Sequence, residues 1–151
     1  MAFRARFLPK NPQKYVGDHH NIWARSSWEL SVMKWMDSRD AVLRWGSEEV
    51  KIPYLNLEDN RIHYYFPDFF MEYLDKDGNL IREIVEVKPR HEADAKYAKH
   101  ERSKNALMVN EAKWKYAAIW CEERGMKFRV LTEHSIFHQG QPKKKRKKVD
   151  A

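Results

Sequence analysis

Two periodicities of apolar positions divide this chain. The run SSWELSVMKWMDS puts Trp28, Val32, Met33 and Met36 on one face at helical spacing. Ser26 is the predicted N-cap, and Glu29 follows three residues later at capping-box spacing. Alternation then takes over. EEVKIPYL reads as a strand, with Pro53 placing it at an edge or a bulge. NLEDN is a turn, RIHYYF a second strand, and DFFMEYL a third that Pro67 separates from the second. DKDGN carries Asp77-Gly78, a hairpin-turn signal, and LIREIVEVK is a fourth strand ended by Pro89. No Gly or Pro occurs from Arg90 to Arg124. That stretch begins polar (HEADAKYAKHERSK) and ends as an amphipathic helix, NALMVNEAKWKYAAIWCEERG, which stops at Gly125. KFRVLT is a last strand. The expected class is α/β, in the order helix, strands, helix, strand. Pro9, Pro12 and Gly17 make residues 1–20 an irregular basic arm, 21–138 the domain, and 139–151 a basic tail.

The 151 residues suffice for one domain with a core, and 13% aromatic content with six Trp argues for packing over disorder. Cys121 is the only cysteine, so no internal disulfide can form. No apolar run is long enough to span a membrane, and the N-terminal segment lacks the apolar stretch of a secretory signal. The net charge of +7 is uneven. Residues 1–14 carry Arg4, Arg6, Lys10 and Lys14 with no acid, and residues 141–151 carry Lys143, Lys144, Lys145, Arg146, Lys147 and Lys148 against Asp150, so the body between them sums to −2. Basic ends on a near-neutral body suit a polyanion, DNA above all; two solvated tails have the same composition.

The predicted hairpin carries charge where a core strand is apolar. Glu86 and Lys88 share one face of their strand, Val85 and Val87 the other, and Asp68 opens the partner strand. An Asp, a Glu and a Lys therefore converge at one end of the hairpin. Two close carboxylates are stable only with a shared proton or a divalent cation. Oxygen ligands with an open water shell suit Mg²⁺ or Mn²⁺, which can polarise a phosphoryl oxygen and activate water. A neighbouring ammonium can hold that water or stabilise charge on the phosphate. An ordinary solvated strand face would also carry these residues. Against that, IVEVK is otherwise apolar and the element order fits a nuclease.

FPDF followed by EVK resembles the PD-(D/E)xK nuclease superfamily, whose restriction-endonuclease-like core is a mixed central sheet flanked by helices. WARSSWEL, WGSEEVKIPYL, HYYFPDFF, IVEVKP and EAKWKYAAIWCEERGMKFRVLTE together are similar to the head completion nucleases of T-even-type tailed phages, from about Lys10 to Glu133. The resemblance implies a metal-dependent DNA endonuclease acting after head packaging. It implies Asp68 and Glu86 as Mg²⁺ or Mn²⁺ ligands, Lys88 as the catalytic cation, and Glu29 as a fourth catalytic and metal-binding member. DNA, phage head or neck proteins and a second copy of the chain are the expected partners, and the host cytoplasm or the virion the expected location. The endonuclease subunit of Tn7-type transposons looks similar over the same stretch but carries a further helical domain. A structural head-completion protein with an idle site is the competing class.

Other features weigh less. DHHN (Asp18 to Asn21) lacks the hairpin-and-helix spacing of an HNH-type site, and His63, His91, His100, His134 and His138 show no ligand spacing. Cys121 reads as a core thiol, and Trp114 and Trp120 as core. Lys113 and Asn110, one turn apart, face the DNA backbone, the active site or solvent; Lys113 is the expected DNA-binding residue of the two. PKKKRKKV resembles a viral nuclear-import signal, which would direct the chain to a nucleus. It reads equally as a DNA-holding tail or an added segment.

Overall fold

The computed structural model describes residues 3–56 and 58–132. In chain order the elements are β1 (Ala5–Arg6), a 3-10 turn (Pro12–Lys14), β2 (Trp23–Ala24), α1 (Ser27–Ser38), β3 (Val42–Ser47), β4 (Ile52–Asn56), β5 (Arg61–Tyr65), β6 (Phe69–Leu74), β7 (Leu80–Val87), α2 (Arg90–Ala93), a second 3-10 turn (Ala95–Tyr97), α3 (Glu101–Glu123) and β8 (Lys127–Leu131). The central sheet runs β3-β6-β7-β8 and is mixed: β3–β6 and β6–β7 are antiparallel, and β7–β8 is parallel. The parallel pair needs a crossover, which α2 and α3 supply. β4 and β5 form a separate hairpin, so Pro53 sits in a two-stranded ladder without a third strand to pair.

The two faces of β7 feed two cores. Val85 and Val87 join Val32, Met33 and Met36 of α1, with Val42, Trp45, Phe69 and Met71. Ile84 packs with Phe70 and Cys121 on the α3 side, beside a cluster of Ile52, Tyr65 and Ala117. A strand covered on both faces buries every residue from Glu83 to Val87. That places Glu86 indoors.

Sequence pattern misses β3. A register shift between Val42 and Arg44 breaks the ladder, so Val42 and Trp45 are buried while Leu43 and Arg44 are exposed, and the two-residue period disappears. The β6–β7 turn closes on Asp75 and Asn79. Of its central residues, only Gly78 has positive φ (81°), so this is a three-residue loop with a left-handed glycine, not a two-residue turn.

Residues 3–20 are largely irregular, as expected, but they pack onto the domain. Phe7 and Tyr15 belong to the α1-side core, and β1 pairs with β2. The arm also closes the C-terminus of α1. Lys14 Nζ donates to the carbonyls of Met36, Asp37 and Arg39 at 2.9, 3.0 and 2.8 Å, and the amides of Lys10 and Asn11 donate to the buried Asp37 carboxylate. Arg6 donates to the carbonyl of His20, and Arg4 stacks on Trp23. Three of the arm's four cations thus serve the fold. Residues 133–151, including Lys143–Lys148 of the tail, His134 and His138, lie outside the described residues.

Candidate active site

Four strand ends meet at one edge of the sheet. The antiparallel β6–β7 register pairs Phe69 with Val85, so Asp68, just before β6, falls beside Glu86. Ser47, the last residue of β3, pairs with Phe69, and the Glu48 amide donates to the Asp68 carbonyl at 3.0 Å. The Lys88 amide donates to the Leu131 carbonyl at 2.9 Å, so β8 holds the residue that follows β7. The N-terminus of α1 reaches the same edge.

Asp68 and Glu86 are both buried. The Asp68 amide donates to Glu86 Oε1 at 3.2 Å, and the Val87 amide donates to Asp68 Oδ2 at 2.7 Å. Lys88 Nζ lies 3.9 Å from Glu86 Oε2 and is partly exposed. The convergence expected of Asp68, Glu86 and Lys88 is thus present as geometry. Burial, then the charges of Glu86 and Glu29, push the Asp68 carboxyl up to about 8, against the Val87 amide and Lys88. Burial also raises Glu86, while Tyr65, Lys88, the Asp68 amide and Lys113 pull it back. Both shifts report two carboxylates enclosed together without enough positive charge.

Glu29 occupies the site's flank. Ser26 caps α1 by accepting from the Glu29 amide at 3.0 Å, as the spacing predicts. The reach-back differs: Glu29 Oε1 accepts from the Arg25 amide at 2.9 Å, not from Ser26. The Glu29 charge still acts on Asp68. Among the described residues no three His, Cys, Asp or Glu side chains are gathered into a cation cage. Two carboxylates nevertheless fit Mg²⁺, which keeps most of its waters and takes only one or two protein carboxylates.

On the α3 side, Lys113 lies 5.9 Å from the Tyr65 ring and close enough to Glu86 to lower its pKa. It is half-buried and on the side of the helix near the site. Asn110 is buried and donates to the Glu92 carbonyl at 3.2 Å, which ties α3 to α2. Sequence reasoning misses Tyr65 and Glu48 here, while Trp114 packs against the core as expected. The Tyr65 hydroxyl faces Glu86 and Trp114 Nε1 faces Tyr65, both buried and neither in hydrogen-bond geometry. Glu48 is missed because it follows β3, whose alternation is broken. Its positive φ of 56°, unusual for a residue with a side chain, is the structural signal. Away from the site, His63 pairs with Asp59, His91 meets Ser103, and Cys121 is buried.

Residues 39–133 match the family model described as TnsA-like endonuclease N terminal. The chain is also similar to the head completion nuclease of Enterobacteria phage T4, with 36% identity over 146 residues, covering 90% of this chain and 95% of that protein. The family match spans Asp68, Glu86 and Lys88 and begins after Glu29.

Proposed function

This chain is a nuclease of the TnsA-like endonuclease family, and we propose that it hydrolyses DNA phosphodiester bonds with a divalent cation during phage head completion. The observation that carries the cation requirement is the buried Asp68–Glu86 pair, held by backbone amides and short of positive charge. We read the mixed sheet between α1 and α3 as a restriction-endonuclease-like core.

Asp68 and Glu86 would hold Mg²⁺ or Mn²⁺, with Glu29 on the flank within reach of Asp68 by its charge. The bound ion supplies Lewis-acid polarisation of a phosphoryl oxygen and a water of lowered pKa. Lys88 reaches from the site's open side, where its ammonium positions the attacking water or stabilises charge growing on the phosphate. Val87 and Asp68 amides fix the carboxylates, so little reorganisation is needed at the moment of reaction. Lys113 adds positive potential from α3. The tail cations at residues 143–148 hold DNA phosphates. Phage head or neck proteins are the proposed partners, in the host cytoplasm or the virion.

Plasmid DNA incubated with the purified protein tests this. Cutting with Mg²⁺ and none with EDTA is the expected result. Equal cutting in EDTA defeats the cation requirement, and inertness under every divalent cation defeats the catalytic reading.

A further inference from the structure

Arg25 stands at the mouth of this site with its backbone fixed and its side chain reaching solvent. Its neighbour Ala24 is fully buried in the β1–β2 ribbon, Ser26 is the α1 N-cap, and its own amide is held by Glu29. Its side chain is 55% exposed. The guanidinium pairs with Glu48 and lies 3.9 Å from Asp68 Oδ1. Its guanidinium thus lies beside one candidate metal ligand, and its amide holds a second, Glu29.

Glu48 holds this arrangement from the other side. Its amide is bonded to the Asp68 carbonyl, and its backbone is left-handed at φ 56°. A side-chain-bearing residue in that conformation is strained, and such strain clusters at functional sites. Its carboxylate is partly exposed, unlike those of Asp68 and Glu86.

We propose that Arg25 is the phosphate-binding cation of the active site, held against Asp68 by Glu48 until DNA and a divalent cation arrive. This rests on the metal-dependent function proposed for the site. The charge balance explains the exchange. Glu29, Glu48, Asp68 and Glu86 face this edge, and DNA brings a further negative charge to it. Arg25 is the more exposed of the two cations, 55% against 30% for Lys88, and so has more room to turn. Its planar fork suits two phosphate oxygens at once. In the DNA-free protein the guanidinium lies beside Asp68, and its positive charge opposes a divalent cation there. Once Asp68 is engaged by that cation, Arg25 is repelled toward the phosphate, with Glu48 as its remaining anchor.

Two readouts in opposite directions follow. Mn²⁺ binding to the full-length protein without DNA, measured by calorimetry, should tighten severalfold in Arg25→Ala. DNA cleavage at saturating Mg²⁺ should fall roughly 10- to 100-fold in the same variant, the scale of a charged hydrogen bond removed. Arg25→Lys keeps the charge and should bind Mn²⁺ like the wild type while recovering part of the cleavage. A residue that merely braces α1 would weaken both activities together and lower the melting temperature. Wild-type Mn²⁺ binding unchanged or weakened in Arg25→Ala overturns this proposal alone, as does unchanged cleavage. No Mn²⁺ binding by the wild type overturns the metal reading and this proposal with it.

Discussion

Asp68 and Glu86 are tied to one another through the backbone: the amide of Asp68 bonds to the Glu86 carboxylate, and the amide following Glu86 bonds to the Asp68 carboxylate. Neutral amide side chains keep an acceptor oxygen for both bonds. Asp68→Asn and Glu86→Gln should therefore fold normally and lose cutting by roughly a thousandfold or more, since several kcal/mol of charge stabilisation goes with the cation. Lys88→Ala should lose cutting yet still bind Mn²⁺. Plasmid nicking and calorimetry measure both. Wild-type cutting by any of the three variants removes that residue from the site.

The raised carboxyl of Asp68 sets a pH dependence. Its folded value, about 8, lies above the ordinary 3.8, so the folded state retains the proton more strongly than the unfolded chain. That stability is fully present below pH ~4 and is lost as pH rises toward ~8. In EDTA the melting temperature should fall between pH 5 and 8. A tenfold change in proton affinity is worth about 1.4 kcal/mol, so Asp68→Asn should raise stability at pH 8 by at least about 1 kcal/mol. Mg²⁺ should reverse the decline and release protons on binding. Parallel pH–melting curves for wild type and Asp68→Asn would refute the assignment.

Glu29 divides its two roles by charge. Gln at this position can still accept the Arg25 amide but cannot supply a negative charge to a cation. Glu29→Gln should alter stability by less than about 0.5 kcal/mol and sharply reduce Mg²⁺-dependent cleavage. Glu29→Ala leaves the Ser26 cap and removes the reach-back bond, costing about 1 kcal/mol, in addition to the activity. Full cleavage by the Gln variant would leave Glu29 a structural residue.

The two basic ends should respond oppositely. Deleting residues 141–151 should weaken DNA binding and lower the log–log salt slope by about 0.9 for each phosphate no longer neutralised, with catalysis retained. Lys14→Met removes three bonds to the end of α1 and should cost about 1–3 kcal/mol of stability with the salt slope unchanged. A changed slope for Lys14→Met, or an unchanged one for the deletion, would reverse these roles.

The α1 face, the β6–β7 hairpin and the convergence of Asp68, Glu86 and Lys88 are legible in the sequence, because they follow from periodicity and one turn signal. What is not legible depends on tertiary context. The register shift in β3 erases its alternation, and with it the position of Glu48. Phe7 and Tyr15 lie among prolines and cations, a pattern indistinguishable from an exposed arm until α1 and β3 are there to receive them. Arg25 looks like any cation beside a helix start, because its partners, Glu48 and Asp68, are distant in sequence. Glu83, buried between Tyr73 and Arg129, has the same local look as Glu86 and differs only in which face it occupies.

The strand that carries Glu86 is finished by β8, and Lys88 is pinned by the carbonyl of Leu131, the last residue of that strand. Completion of the proposed site therefore waits for β8, which follows every proposed ligand in chain order. A nascent chain that has emerged only through Gly125 holds every proposed ligand and Arg25, yet lacks the edge that fixes Lys88. Truncated chains released by premature termination should consequently be poor nucleases, and a chain ending at residue 126 should leave plasmid DNA intact even when supplied with Mg²⁺.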